Sequence, residues 1–192
     1  MIAATRAKAI LFDPAASWAS IEKDAADPVY LLSRYVAVLA LIPALSSFVG
    51  ATLIGVIGSG GAVIRSAPFD GIFGAIFSYL ASFAIVLLLG LIINFLAPLF
   101  GGRSDFERIF KLTVYSFTPL WLAGIFLILP GLRFLLLIGC YAIYVLWLGL
   151  PRMTKVPERQ VTNFAAVIVI CAGALLFGAA LAQRILFGTP GL

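Results

Sequence analysis

Long apolar stretches without a charged residue alternate with short charged segments along this chain. The charge-free stretches cover residues 35–64, 71–102, 112–132, 134–151 and 160–183. About 20 mostly apolar residues in an α-helix cross a hydrocarbon core of about 30 Å, so each stretch is long enough to cross once. The pattern therefore predicts an all-α polytopic membrane protein, a bundle of five transmembrane helices. We place the spans near residues 35–57, 71–96, 110–129, 132–150 and 163–186.

The composition agrees with this class. Of the 192 residues, 63% are hydrophobic and 11% are charged, whereas an ordinary soluble domain has about 25% charged residues. The net charge of +5 is expected from basic cytoplasmic loops and does not indicate a nucleic-acid partner. The chain contains no histidine, which removes the commonest general base and most catalytic zinc sites. We therefore expect no enzyme activity, no cofactor and no metal site.

The basic residues are distributed unevenly between the two sides of the predicted bundle. Ten lie before the first span or in the segments after the second and fourth spans, namely Arg6, Lys8, Lys23, Arg34, Arg103, Arg108, Lys111, Arg152, Lys155 and Arg159. Three lie in the alternate segments, namely Arg65, Arg133 and Arg184. Because Lys and Arg accumulate in cytoplasmic loops, this bias predicts a cytoplasmic N-terminus and a C-terminus outside. We expect the protein in the bacterial inner (plasma) membrane.

The segment before the first span carries two helix-start signals. We divide the chain into a cytoplasmic N-terminal segment, 1–34, and a transmembrane domain, 35–187. In Asp13-Pro14 and Asp27-Pro28 the Asp can cap free N–H groups, while Pro needs no hydrogen bond at the first helical position. A short amphipathic helix over 14–26 would place Trp18, Ile21 and Ala25 on one apolar face. The pattern suits a helix on the membrane surface with Trp18 at headgroup level, and it suits equally a helix packed on the protein's own cytoplasmic loops.

Glycine, proline and other small residues mark the turns and the packing faces. Leu129-Pro130-Gly131-Leu132 predicts a tight turn and an antiparallel hairpin of the third and fourth spans. Small residues recur every four positions in three spans, which lets helices approach closely. These stripes are Ser47, Ala51, Gly55 and Ser59 in the first, Gly74, Ser78 and Ser82 in the second, and Ala174, Gly178 and Ala182 in the fifth. They predict contacts within the bundle or in self-association.

The predicted spans contain no Asp or Glu, which disfavours proton- or ion-coupled transport. Uncharged polar residues remain, and the candidate intramembrane polar site consists of Asn94, Tyr115, Ser116 and Pro119. Pro119 frees a backbone carbonyl near Tyr115, which neighbouring hydroxyls can satisfy. Two interpretations are open: a satisfied kink within the bundle, or a site that contacts a ligand or lipid.

Four short motifs indicate a family. They are Phe-Asp-Pro-x-x-x-Trp-x-x-Ile-x-x-Asp over 12–24, Tyr-Ser-x-x-Pro over 115–119, the Leu-Pro-Gly-Leu turn, and Gly149-Leu150. Together they resemble the bacterial branch of the Yip-one family, named after Ypt-interacting protein, and the resemblance covers about residues 10–187. It implies five spans and a cytoplasmic N-terminus, with no established substrate, cofactor or catalytic residue. Eukaryotic members associate with Rab-type GTPases but carry Asp-Leu-Tyr-Gly-Pro where this chain has Asp27-Pro28-Val29-Tyr30.

Two functional hypotheses follow. The first is a non-enzymatic integral membrane scaffold, a membrane-organisation or trafficking-like factor. Its partners would be membrane lipids, other membrane proteins or a second copy of the chain. The alternative is a small-molecule transporter, channel or lipid scramblase that uses the polar patch as a pathway.

Overall fold

Two short helices precede the first span. The computed structural model describes residues 2–24, 27–57 and 62–187, so Ala25 and Ser59 of the predicted patterns lie outside the described residues. Helix α1 covers Ile2–Phe12 and α2 covers Pro14–Ile21. The Asp13 carboxylate accepts a hydrogen bond from the Ala16 N–H at 3.1 Å. This cap confirms the first predicted helix start, whereas α1 was not predicted.

Five long helices follow, as the charge-free stretches predict. They are α3 (Pro28–Ile54), α4 (Pro68–Phe100), α5 (Phe106–Ile128), α6 (Pro130–Thr154) and α7 (Glu158–Phe187). The protein is an all-α polytopic membrane protein. Helix α3 begins seven residues before the predicted span because Asp27 caps it, its carboxylate accepting from the Val29 N–H at 3.1 Å, and the helix then continues into the apolar stretch.

Several spans depart from regular α-helix. Helix α3 contains π-helical segments at Leu32–Val36 and Val49–Ile54. Helix α5 ends in a 3-10 segment, Gly124–Ile128, and α6 begins with another, Pro130–Cys140. Extended Leu129 joins these two segments, which pack side by side. The predicted hairpin of the third and fourth spans is therefore present.

A two-stranded ribbon lies between α3 and α4. Strands β1 (Val56–Ile57) and β2 (Val63–Ile64) are antiparallel, with Val56 opposite Ile64 and Ile57 opposite Val63. This ribbon was not predicted, and the glycine-rich residues 58–61 between its strands lie outside the described part of the chain. The ribbon ends the first span at Ile54, three residues before the predicted boundary.

Helix α5 is the centre of the bundle. In its most apolar window 67% of the residues are buried, against 17% in α7. Helix α5 packs against α3, α4 and α6, and α1 also contacts it. Helix α7 lies at the periphery and packs on α4 and α6. The outer faces carry many exposed large apolar side chains, such as Phe95, Leu137 and Phe177, as expected for surfaces in contact with lipid.

The three predicted cytoplasmic segments lie together at one end of the bundle. The Arg103 N–H, in the α4–α5 loop, donates to the Thr154 carbonyl at the end of α6 at 2.7 Å. Glu22, after α2, forms ion pairs with Lys155 at 2.5 Å and with Arg108 at 3.4 Å. Gly101 ends α4 in the left-handed conformation, with φ of 78°, which a residue without a side chain adopts at low cost. Which side of the membrane this end faces stays a prediction.

Candidate functional site: the Trp18 cluster and two intramembrane cavities

Trp18 lies in the core of the bundle. Its side chain is 0% exposed, and its indole N–H donates to the Val145 carbonyl of α6 at 3.0 Å. The expectation that Trp18 lies at headgroup level is therefore wrong. Helix α2 instead packs on the protein itself, as in the alternative interpretation, although its partner is span α6 rather than a loop. The apolar face that suggested a membrane surface contacts protein.

The glycine of the Gly149-Leu150 motif makes room for Trp18. A Cβ atom at position 149 would lie 2.6 Å from Trp18 Cε2, 2.7 Å from Trp18 Cζ2 and 2.6 Å from Leu112 Cδ1. These separations are far below van der Waals contact, so a larger residue there would displace the indole. The opening motif and the Gly-Leu motif, more than 120 residues apart in sequence, thus form one packing unit.

The Tyr-Ser-x-x-Pro element joins the same cluster through Tyr115. The Tyr115 ring packs edge-on against Trp18, with centroids 6.4 Å apart, and against Tyr35 of α3, at 4.9 Å. The Tyr35 hydroxyl shares a buried hydrogen bond of 2.8 Å with Thr118. The α-helical part of α5 is interrupted at Phe117, two residues before Pro119. The interruption lies where Pro119 predicts a kink. We name Trp18, Tyr35, Tyr115, Thr118 and Gly149 the Trp18 cluster.

Charged residues that follow α2 bind residues of α1, of α5 and of the segment after α6. Glu22 binds Lys155 and Arg108, and the hydrogen bond from Lys155 contributes most to holding the pKa of Glu22 below its ordinary value of 4.5. Asp24 forms an ion pair with Arg6 of α1. The Lys111 ammonium, 4% exposed, donates to the Asp24 backbone carbonyl at 2.7 Å and lies 3.4 Å from the Glu107 carboxylate. These partners offset the cost of burying the Lys111 charge.

Two cavities lie among α4, α5, α6 and α7. Cavity A, of about 280 Å³, includes Thr113 and Ser116 of α5 and Gly173 of α7 in its wall. Cavity B, of about 230 Å³, is farther along α5 and includes Trp121 and Leu127. Four apolar side chains line both cavities and lie between them, namely Phe117, Leu120, Leu136 and Leu176. The Ser116 Oγ is buried and has no hydrogen-bond partner among the described residues.

The remaining predicted site residues are scattered. Asn94 is absent from both cavity walls, and its backbone carbonyl accepts from Ser104 Oγ at 2.6 Å. The predicted group of four is thus divided among a helix end (Asn94), the Trp18 cluster (Tyr115), a cavity wall (Ser116) and a helix break (Pro119). A role for any of them in ligand contact stays a prediction.

The small-residue stripes occupy different environments. Ser47 and Ala51 of α3 are half-buried, and Gly55, directly after α3, is buried. In α4, Gly74 is buried and Ser78 and Ser82 line cavity B. In α7, Ala174 and Gly178 are exposed and Ala182 is half-buried. A Cβ atom on Gly178 would meet nothing within 4 Å. Part of the α7 stripe therefore faces out of the bundle, and self-association through it stays a prediction.

Comparison with known proteins decides the family. The family model of the Yip1 domain matches residues 8–180. The chain belongs to the Yip1 domain family. It is also similar to the inner membrane protein YohC of Escherichia coli K12 and to that of E. coli O6:H1. Each is 26% identical over 138 residues, which cover 70% of this chain and 71% of the relative. No solved structure matches.

Residues from separate family motifs pack against one another in this structure. Trp18, Tyr115 and Gly149 come from three motifs and meet in the Trp18 cluster. Sequence reasoning did not identify Tyr35 as a member, nor Glu22 and Lys155 as a pair. Opposite charges in two segments assigned to the same side were the only signal for that pair, and they do not specify which residues meet.

Proposed function

We propose that this Yip1 domain protein is a non-enzymatic scaffold of the bacterial inner membrane, which organises lipids or other membrane proteins through its surfaces. The observation that carries the proposal is that the motif residues pack helices together. Trp18, Tyr115 and Gly149 pack the N-terminal helices onto α5 and α6, and Trp18 is fully buried. Residues used in this way hold a rigid shape and present no reacting group to a substrate.

The basic end of the bundle supports the same function. Several of its cations are exposed, namely Lys8, Lys23, Arg103, Arg152 and Arg159. Anionic lipids in the cytoplasmic leaflet attract such residues by about 1 kcal/mol each near the surface. With the N-terminus in the cytoplasm and the C-terminus outside, these cations would face those headgroups or an acidic protein surface.

A pair of reporter fusions tests this orientation. A reporter that is active only outside the cytoplasm should be silent when fused after Lys155 and active when fused after Leu192, since basic loops stay inside. The reverse result would overturn the predicted orientation and, with it, the assignment of the basic end of the bundle to the cytoplasm. Leu192 lies outside the described residues, and the prediction depends on the span count alone.

Reconstituted flux assays test the scaffold itself. Purified protein in proteoliposomes should translocate fluorescent phospholipid and release trapped small solutes no faster than protein-free vesicles. A rate well above this background would reject the scaffold.

The second candidate is a transporter, channel or lipid scramblase. Cavity A favours it, because the Ser116 hydroxyl, which has no hydrogen-bond partner among the described residues, lies beside open space within the membrane-spanning region. This candidate predicts a flux that Ser116→Ala reduces without a change in thermal stability. The scaffold predicts no flux for Ser116→Ala to reduce.

A further inference from the structure

Cavities A and B follow from how α7 packs. Helix α7 contacts α4 and α6, and the space left beside α5 is lined by residues of these four helices and, in cavity B, by Pro43 of α3. The walls are mostly apolar. The polar side chains of cavity B are engaged in part: the Ser82 hydroxyl donates to the Ser78 carbonyl at 3.0 Å, and the Gln183 amide donates to the Gly74 carbonyl at 3.2 Å. Empty space of this kind forfeits dispersion contacts with the side chains that line it, so an apolar occupant is favoured.

Cavity A has a mouth between α6 and α7. Its wall includes Cys140 and Ile143 of α6 and Gly173 of α7, and all three are exposed at the surface of the bundle. That surface belongs to membrane-spanning segments and faces hydrocarbon. The material directly outside the mouth is therefore lipid acyl chain.

The dimensions suit one such chain. Along α5 the two cavities extend from Thr113 to Leu127, which is about 21 Å at 1.5 Å per residue. One leaflet contributes about half of the 30 Å hydrocarbon core, so an extended chain is roughly 15 Å long or slightly more.

Water is a poor occupant of cavity A. A buried water needs two to four polar partners, and the polar side-chain atoms in cavity A are few. The Thr113 hydroxyl already donates to the Ile109 carbonyl at 2.9 Å. Ser116 Oγ offers a single partner, which is too little to hold a column of water.

We propose that an acyl chain of a phospholipid from the surrounding bilayer enters between α6 and α7 and occupies cavities A and B. The chain passes the four apolar side chains that lie between the cavities and reaches Trp121. The phospholipid becomes a bound component of the fold, which holds α7 against the rest of the bundle. This site goes beyond the proposed scaffold and does not depend on whether the protein also moves lipid.

Trp121 provides the test. It lines cavity B and is only 3% exposed, so bulk lipid does not contact it, whereas a chain in the cavity would. The full chain carrying Trp147→Phe, which removes an exposed tryptophan, is reconstituted in nanodiscs with a phospholipid brominated near the middle of one chain. The contribution of Trp121 to the fluorescence is the part that is lost when Trp121→Phe is added. We expect the brominated chain to quench this part strongly.

Two glycines of α7 give a matched pair of variants. A Cβ atom on Gly173 or on Gly178 would meet nothing within 4 Å, but Gly173 lines cavity A and Gly178 lines neither cavity. Gly173→Leu places a side chain in the mouth and should lower the quenching of Trp121 at least twofold. Gly178→Leu should leave the quenching unchanged. Equal quenching in the two variants would overturn the proposal.

Two further readouts keep the result independent of folding. Phospholipid that stays bound after detergent washing is measured as phosphorus per protein. We expect about one mole of phospholipid per mole of parent protein and less than half of that for Gly173→Leu. Both leucine variants should unfold near the temperature of the parent. Ser116→Ala should retain at least as much phospholipid as the parent, since it removes an unpaired hydroxyl from an apolar wall. Loss of retention in Ser116→Ala would show a polar occupant and reject the acyl chain.

Discussion

Replacing Gly149 with alanine perturbs the Trp18 cluster by a single methyl group. The added Cβ would lie 2.6 Å from both the Trp18 ring and the Leu112 Cδ1 atom. Leu112 can rotate its end away, but the indole is fully buried and fixed by its bond to the Val145 carbonyl. The ring must therefore shift and weaken that bond.

The expected cost follows from three terms. Overpacking a core costs about 1–3 kcal/mol, and weakening a buried hydrogen bond costs about 1 kcal/mol. The higher helix propensity of alanine offsets about 1 kcal/mol. We therefore expect Gly149→Ala to lower the free energy of unfolding by about 1–3 kcal/mol, measured by equilibrium unfolding of the purified protein in mixed micelles.

A double-mutant cycle isolates the role of Trp18. In a Trp18→Leu background the clash with the indole is gone, so Gly149→Ala should cost at most half of its value in the parent chain. Gly178→Ala is the control, because its new methyl group meets nothing and should be neutral or stabilising by up to about 1 kcal/mol. An equal cost of Gly149→Ala with and without the indole would refute this account of the motif.

Substitutions at three other positions test the cluster and its surroundings. The pKa of Glu22 is lowered in the folded protein, so ionised Glu22 stabilises the fold above about pH 4.5, and this stabilisation is lost as the pH falls through the pKa of the folded state. Glu22→Gln should remove this part of the loss of stability in acid, measured by unfolding at several pH values. Lys155 has φ of 58°, so Lys155→Gly should be about 1 kcal/mol more stable than Lys155→Ala although both lose the Glu22 pair, and equal stabilities would argue against strain there. Tyr115→Phe keeps the ring contacts with Trp18 and Tyr35 and should lower the unfolding temperature only slightly, since even a side-chain hydrogen bond between membrane helices averages about 0.6 kcal/mol. A large loss would indicate an essential role of the hydroxyl.

The five spans could be predicted from the sequence because they depend on local properties. A charge-free stretch long enough to cross the hydrocarbon core forms a helix almost regardless of its neighbours. The Asp-Pro pairs likewise act on the residues that follow them, and the caps at Asp13 and Asp27 are formed. The grouping of basic segments at one end follows from the number of spans.

The position of Trp18 could not be predicted in the same way. An apolar face on a short helix is the same whether it contacts lipid or protein, and the decisive contacts, to Val145 and Gly149, lie about 130 residues away in sequence. In the sequence, Gly149 was recognised only as part of a family motif, and nothing indicated which side chain would pack against it. The cavities beside α5 depend on how α7 packs on α4 and α6, and no residue pattern within α7 expresses that.

The location of Trp18 is the central claim, and a headgroup quencher tests it directly. Trp121→Phe and Trp147→Phe leave Trp18 as the only tryptophan, and phospholipid with a nitroxide on its headgroup is added to the nanodiscs. Phe12→Trp in a Trp18→Phe version is the exposed control, since Phe12 is 80% exposed. A buried Trp18 predicts a blue-shifted emission and quenching several-fold weaker than that of the control. Quenching of Trp18 as strong as that of the control would place α2 on the membrane surface and contradict the packing described here.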